Sequence, residues 1–199
     1  RSLPTHGPQR MADAGDEPIL RTERLDLRAI RPGDAELQYR VLNTPAVMAR
    51  LGGPLTLEAI AQKHTKTMEF HAREGFSFLF AIERETGELV GHCGLKRVDS
   101  VGAKNPGDVE IGWLIREDRW RQGYAIEAIR AVLEWAFVTH DAPHVVALTS
   151  QSNEPSWRLM ERLGMERRSD LDFDDPRFPP EDNPTILYSL NRDAWERSR

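Results

Sequence analysis

The alternation of apolar and charged residues is sharpest from Arg24 to Ile30, where Leu25, Leu27 and Ala29 fall on one side. That period of two is the mark of a half-buried strand. Arg31-Pro32-Gly33-Asp34 breaks it, and Pro32 and Asp34 suit the first turn of a helix over 35–42, which Asn43-Thr44-Pro45 ends. Residues 46–54, with Gly52-Gly53-Pro54, read as a loop. Thr56 opens a second helix reaching about Glu74, with Ile60, His64, Thr67 or Met68, and His71 continuing its spacing and Gly75 closing it. Two β-favouring runs follow, Phe76–Arg84 and Leu89–Val98, joined by Glu85-Thr86-Gly87-Glu88, and this predicts an antiparallel hairpin. After a loop over 99–107, Asp108–Ile115 is a further strand with Val109, Ile111, Trp113 and Ile115 on one face. Ala125, Ala128, Ile129, Val132, Leu133, Ala136 and Phe137 then sit at helical spacing and form a broad apolar face. Val145–Thr149 is a continuous apolar run, as expected of a strand buried on both faces. A helix over 155–163 stopped by Gly164, a brief strand at 165–168, a proline-rich acidic loop at 169–184, a strand at 185–190 and a short terminal helix or tail complete the chain.

Antiparallel hairpin strands in the middle and a strand–helix–strand crossover later predict a mixed sheet. The first 18 residues lack apolar periodicity and contain three prolines, so they are expected to form a disordered tail before one domain over 19–199. A length of 199 residues fits one domain. Lys and Arg number 27 against 32 Asp and Glu, and the resulting charge of −5 argues against a nucleic-acid partner that reads duplex by charge. A mean hydropathy of −0.56, and no apolar run near the roughly 18 residues of a membrane span, argue against a membrane protein. The lone Cys93 excludes an intramolecular disulfide framework and fits a reducing, cytoplasmic setting.

The chemistry concentrates in Glu110–Ala128, EIGWLIREDRWRQGYAIEA, where a strand ends at Ile115 and an arginine-rich loop enters a helix near Gly123. A helix N-terminus presents unpaired N–H groups and partial positive charge, which suits an anion. Gly123 lets a phosphate oxygen approach the backbone closely. Arg116, Arg119 and Arg121 add positive charge, as a pyrophosphate would require. Neither the Walker loop nor the G-x-G-x-x-G fingerprint is present.

The run Trp120-Arg121-Gln122-Gly123-Tyr124-Ala125 resembles the acetyl-CoA loop of the GNAT superfamily of N-acetyltransferases, Q/R-x-x-G-x-G/A. Asn153-x-x-Ser156 after the VVALT strand, and Arg162-Leu163-Gly164-Met165 at the end of its helix, match that family in order. RTERLDLRAIRPGDAE, EIGWLI and the Trp at 120 resemble its RimJ/RimL-type branch, and the resemblance covers about residues 20–190. It implies an α/β (α+β mixed) fold: one GNAT-like domain with a central, mixed, mostly antiparallel sheet, flanked by helices. Its fourth and fifth strands, here Asp108–Ile115 and Val145–Thr149, would splay apart. It further implies acetyl-CoA as cosubstrate, a primary amine as acceptor, direct attack without a covalent enzyme intermediate, no metal and a possible homodimer. The pantetheine arm would run along Trp113, Leu114 and Ile115. Arg116 and the loop Arg121, Gln122, Gly123, Tyr124 and Ala125 would hold the pyrophosphate, with Asn153 and Ser156 at the second helix start.

For acyl transfer the amine must be neutral, the thioester carbonyl polarised and the leaving thiolate protonated or tolerated. Ser156 is the candidate acid on the thiolate side, against a plain helix-cap role. Glu110 is the candidate base or water relay. Period two puts it on the face of Gly112 and Leu114, and burial would raise its pKa; the alternative is a solvated residue near the strand start. Asn153 binds the pantetheine arm, caps the helix, or does both. Cys93 reads as a core residue, His92 as structural or facing the acceptor cleft, and His64 with His71 as too few for a metal. The acidic stretch 170–182 reads as a solvated loop in preference to an acceptor-attracting rim. The competing functions are transfer of a longer acyl chain and a catalytically silent CoA-binding module.

Overall fold

A computed structural model describes residues 17–199; the tail expected over 1–18 falls almost wholly outside that range. Eight strands form one sheet in the order β1-β2-β3-β4-β5-β6-β8-β7. They are β1 (Leu20–Arg21), β2 (Leu25–Ala29), β3 (Phe78–Glu83), β4 (Leu89–Arg97), β5 (Val109–Ile115), β6 (His144–Ser150), β7 (Glu166–Arg167) and β8 (Thr185–Asn191). Every neighbouring pair is antiparallel except β5 with β6. The helices are α1 (Asp34–Val41), α2 (Pro45–Met48), α3 (Leu57–Glu74), α4 (Tyr124–Glu134), α5 (Glu154–Arg162) and α6 (Arg192–Arg197).

Two elements differ from the sequence reading. The loop expected over 46–54 begins as α2. The Thr44 side chain accepts from the Val47 amide at 3.3 Å, Pro45 takes the first turn, and Val47 and Met48 are buried. The long helix after Gly123 also changes character, since Trp135–Thr139 is π-helical. At α1, Asp34 carries more than a capping role. It accepts from both Nη atoms of Arg28 at 2.7 and 3.0 Å and from the Arg31 amide at 2.9 Å. Arg28 thereby occupies a buried position in an otherwise alternating strand.

Three apolar clusters pack on the sheet, one of them formed by Val98, Val146, Phe173 and Leu187. The largest lies under α4, where Leu27, Ala81, Cys93, Leu95 and Ile111 meet Ala128, Ile129 and Val132. A smaller one, with Ile30, Leu42, Phe80 and Leu89, is packed by Leu37, Met68 and Leu114 on the side of α1 and α3.

Candidate active site

β5 and β6 meet at a single register pair, Glu110 with Val146, although each strand has seven residues. Their C-terminal halves therefore diverge, and the splay expected of these strands is present. The antiparallel ladder between β4 and β5 fixes which backbone groups face the gap. Arg116 N–H donates to Val90 at 2.9 Å and Val98 N–H donates to Asp108 at 2.9 Å, so even-numbered residues of β5 bond to β4. Odd-numbered residues turn their amides and carbonyls the other way. Past the Glu110 pairing, Trp113 presents its backbone to the gap, and the Ile115 carbonyl accepts from Trp120 Nε1 at 2.7 Å. Leu114 differs from the expectation: its backbone is committed to His92 on β4, leaving only its side chain. A crevice at the carboxyl ends of parallel strands is where open α/β sheets bind ligands.

The loop from Arg116 to Gly123 closes one end of that crevice. Arg121 and Gly123 both adopt left-handed backbone, with φ of 59° and 81°. Gly123 is the N-cap of α4, and no side chain caps the first amides of that helix. The three arginines are not equivalent, which corrects the reading that all three supply charge to a pyrophosphate. Arg116 is held by Asp118 at 2.6 Å and by the Leu89 carbonyl, and Arg119 by Glu88 at 2.6 Å. Arg121 is exposed and has no ion pair among the described residues. Gln122 donates to the Asp118 carbonyl at 3.0 Å and so braces the loop.

A polar network anchors this loop from below, and sequence reading missed it. Glu127 accepts from Arg24 Nε at 2.8 Å, from the Arg24 amide at 2.9 Å and from the Thr22 hydroxyl. The Arg24 guanidinium lies 3.8 Å from the centre of the Tyr124 ring, and the Tyr124 hydroxyl donates to Glu83. Arg24 and Glu127 are 103 positions apart, so no local pattern could have joined them.

The start of α5 stands at the same end of the sheet. Asn153 is its N-cap residue, yet its side chain makes no capping bond and instead donates to the Thr149 hydroxyl at 3.1 Å. The plain-cap reading of Asn153 is thereby corrected. Ser156 is half-buried in the first turn, and its hydroxyl has no protein partner among the described residues.

The opposite face of β5 carries the acid–base candidate. The Oε2 atom of Glu110 is shut off from solvent with no hydrogen-bond partner among the described residues. Burial pushes its pKa up to about 7; Lys96 opposes the shift and Asp99 adds to it. The alternative of a solvated carboxylate is therefore set aside. His92, two rows along the same face, pairs with Leu114, and burial pushes its imidazole down to about 4, so it is neutral near pH 7. Cys93 points into the core beneath α4, and burial pushes its thiol up, away from nucleophilic use. His64 Nε2 contacts Gln38 at 2.6 Å and His71 Nδ1 contacts Ser77 at 2.7 Å. Among the described residues no group of three or more His, Cys, Asp or Glu is arranged to hold a metal. The acidic loop is partly neutralised: Asp170, Asp172 and Asp175 pair with Arg168, Arg167 and Arg177, each at 2.6 to 2.7 Å.

Comparison with known proteins agrees with this geometry. The family model for the acetyltransferase (GNAT) domain matches residues 24–166. An uncharacterized N-acetyltransferase of Bacillus subtilis, YoaA, is 32% identical over 157 residues, covering 77% of this chain and 86% of the relative. An acetyltransferase structure from Agrobacterium tumefaciens superposes with a TM-score of 0.69 at 27% identity, covering 96% of this chain and 99% of that one. An aminoglycoside acetyltransferase in complex with coenzyme A shares the fold, with a TM-score of 0.70 at 22% identity over 87% of this chain and 98% of that one. The chain belongs to the GNAT family of acetyltransferases, and it is an acetyl-CoA-dependent acetyltransferase. Among the described residues, no helix is long and apolar enough to cross a membrane.

Proposed function

We propose that this protein moves the acetyl group of acetyl-CoA to a primary amine, a protein N-terminus or a small-molecule amine, by direct attack within one domain over 19–199. The observation that carries the reading is Glu110: a buried carboxylate oxygen without a partner, at the point where β5 and β6 part. A buried polar group left unsatisfied is costly, and such groups gather where chemistry needs them.

Acetyl-CoA supplies the activated acyl group; the residues present fit it. The gap beside Trp113 accepts an extended arm with backbone hydrogen bonds at one wall. The amides from Gln122 to Ala125 and the free guanidinium of Arg121 suit a pyrophosphate. At Gly123 a side chain would be strained by the positive φ, and its Cβ would stand 3.4 Å from Arg24 Nη2. Asn153 holds the other side of the arm.

On the acceptor side, Glu110 receives the proton that an ammonium must lose before its nitrogen has a lone pair to use. A pKa of about 7 matches that role, because a base works best near the operating pH. His92, neutral at that pH, adds no positive charge that would repel the incoming ammonium. On the thiolate side, the unpartnered Ser156 hydroxyl donates to the leaving sulfur. Trp120, tied to the end of β5, supports the RimJ/RimL-type assignment.

A mass-spectrometric screen of amines and N-terminal peptides with acetyl-CoA tests the reading. Acetylated product that falls sharply in Glu110→Gln and Ser156→Ala is expected. CoA binding with no amine acetylated would mean that the acceptor is not a primary amine.

A further inference from the structure

Three register rows cross β4 and β5 on the Glu110 face. Lys96 stands beside Glu110, Gly94 beside Gly112, and His92 beside Leu114. On β3, Phe78 continues the middle row and Phe80 continues the row of His92. The middle row is therefore Phe78–Gly94–Gly112, one aromatic residue followed by two glycines. Both glycines are required there. A Cβ at Gly94 would lie 2.4 Å from Phe78 Cα, and one at Gly112 would lie 2.8 and 2.9 Å from Cε1 and Cζ of the Phe78 ring. The ring thus extends across β4 until its edge stands over β5.

That ring has chemistry on either side. Glu110 is one pleat from Gly112, about 7 Å along the strand. His92 meets the ring edge-on, with centroids 5.3 Å apart and planes at 84°. Phe78, His92, Gly112, Leu114 and Glu110 all keep partial exposure, although they lie in the middle of an eight-stranded sheet. An aromatic face left open there, between a partnerless carboxylate oxygen and an imidazole, is a floor awaiting an apolar group. In the Glu110 row, Lys96 is paired with Asp99 at 2.7 Å, and both act on Glu110. Lys63 is exposed with no ion pair among the described residues, and its charge acts on His92. Three carboxylates of the nearby acidic loop, Asp170, Asp172 and Asp175, are taken up by Arg168, Arg167 and Arg177.

We propose that the Phe78 ring is the specificity platform of the acceptor site, selecting a monoamine whose flat apolar group stacks on it and disfavouring polyamines. This rests on the reading of Glu110 as the acceptor of the amine proton. A short spacer of about two carbons carries the amine from a group on the ring to Glu110, one pleat away. A polyamine would bring its second cation towards Lys63, whose charge opposes it.

The test compares 2-phenylethylamine, propylamine and spermidine at saturating acetyl-CoA, with calorimetric binding of 2-phenylethylamine to the CoA complex as a second arm. The expected kcat/KM for 2-phenylethylamine is about tenfold above that of propylamine, the scale of one added aromatic contact and its burial. Spermidine should be the poorest. In Phe78→Leu the ratio of the first two should fall towards one, whatever the absolute rate. Gly112→Ala, which drives a methyl into the ring and not the ring out of the protein, should lower the same ratio. Equal use of the two monoamines, or preference for spermidine, would overturn the platform and leave the transferase reading standing. Binding of 2-phenylethylamine that is lost in a folded Phe78→Leu, with no acetylation of any amine, would support the platform and sink the reading of a primary amine as the acceptor. Absence of both binding and turnover overturns both.

Discussion

The two faces of β5 are built to opposite rules. Beneath α4, Ile111 and Ile115 are 1% and 7% exposed, Cys93 and Leu95 are fully buried beside them, and the nearby polar groups of Arg24, Glu127, Tyr124 and Glu83 satisfy one another. On the other face, Glu110, Gly112 and Leu114 stay partly open, and the carboxylate has an oxygen with no partner. The strand's period of two keeps these sets one residue apart without mixing them. Packing on one face holds the frame that the acceptor side needs, and the unsatisfied carboxylate of β5 lies on the acceptor side. Substitutions on the α4 face should therefore act through stability and cofactor affinity, and those on the α3 face through rate.

The largest expected effect is on the α3 face. Glu110→Gln should cut kcat by about 10²–10⁴-fold, the usual worth of general base help, with acetyl-CoA affinity nearly unchanged. In the parent the rate should rise as pH passes about 7, where Glu110 loses its proton, and the variant should lack that inflection. Stability should move the other way. The folded pKa lies above the ordinary carboxylate value, so the contribution of neutral Glu110 is complete below about 4.5 and lost as pH rises through about 7. Glu110→Gln should melt higher than the parent at pH 8, by up to about 3 kcal/mol, and show no such advantage near pH 4. A variant that loses neither rate nor inflection would return Glu110 to a structural role.

Gly123→Asp comes next and breaks the cofactor side. It sets a carboxylate where an anion should bind and forces a side chain onto φ of 81°. Acetyl-CoA affinity should fall at least about tenfold by calorimetry. Gly123→Ala separates the two causes, since it carries the strain without the charge. In the parent, CoA at one hundred times its dissociation constant should add about 2.7 kcal/mol to stability, while NAD should add much less. Equal stabilisation by the two would place the anion site outside the Gly123 loop.

These contrasts were unevenly legible in the sequence. Helix starts at Thr56 and Gly123, the hairpin about Gly87 and the position of Glu110 on the Gly112 face all follow from spacing and local turn chemistry, and the structure has them. The π-helical end of α4 and the short α2 did not, because tertiary packing of Trp135, Phe137, Val47 and Met48 selects between local geometries of similar cost. The arginines of the loop were legible as charge but not as partners. Only the fold brings Glu88 to Arg119, and only the fold leaves Arg121 without a carboxylate. The Phe78 row was equally hidden, since its three residues come from three strands. Nothing local in the sequence links Gly94 with Gly112 or tells which ring they accommodate.

The smallest expected effect belongs to the saturated face and tests whether its network serves the loop or merely fills space. Tyr124→Phe removes one hydroxyl from beneath Gly123 and leaves Glu83 with Arg119 at 3.6 Å and Thr86 at 2.8 Å. Glu83 is not stranded, so the loss should be near the net value of one hydrogen bond, about 1 kcal/mol, and not that of an orphaned buried charge. For a chain of this size that corresponds to a fall in Tm of about 2–4 °C. Because Tyr124 also carries the Arg24 guanidinium on its ring, which the substitution retains, the loop should keep its place. KM for acetyl-CoA should then rise only slightly, and the rate at saturation should hold. A drop in kcat with unchanged Tm would mean that the two faces of β5 are coupled through α4, and that the division between frame and chemistry is not as clean as the alternation of β5 implies.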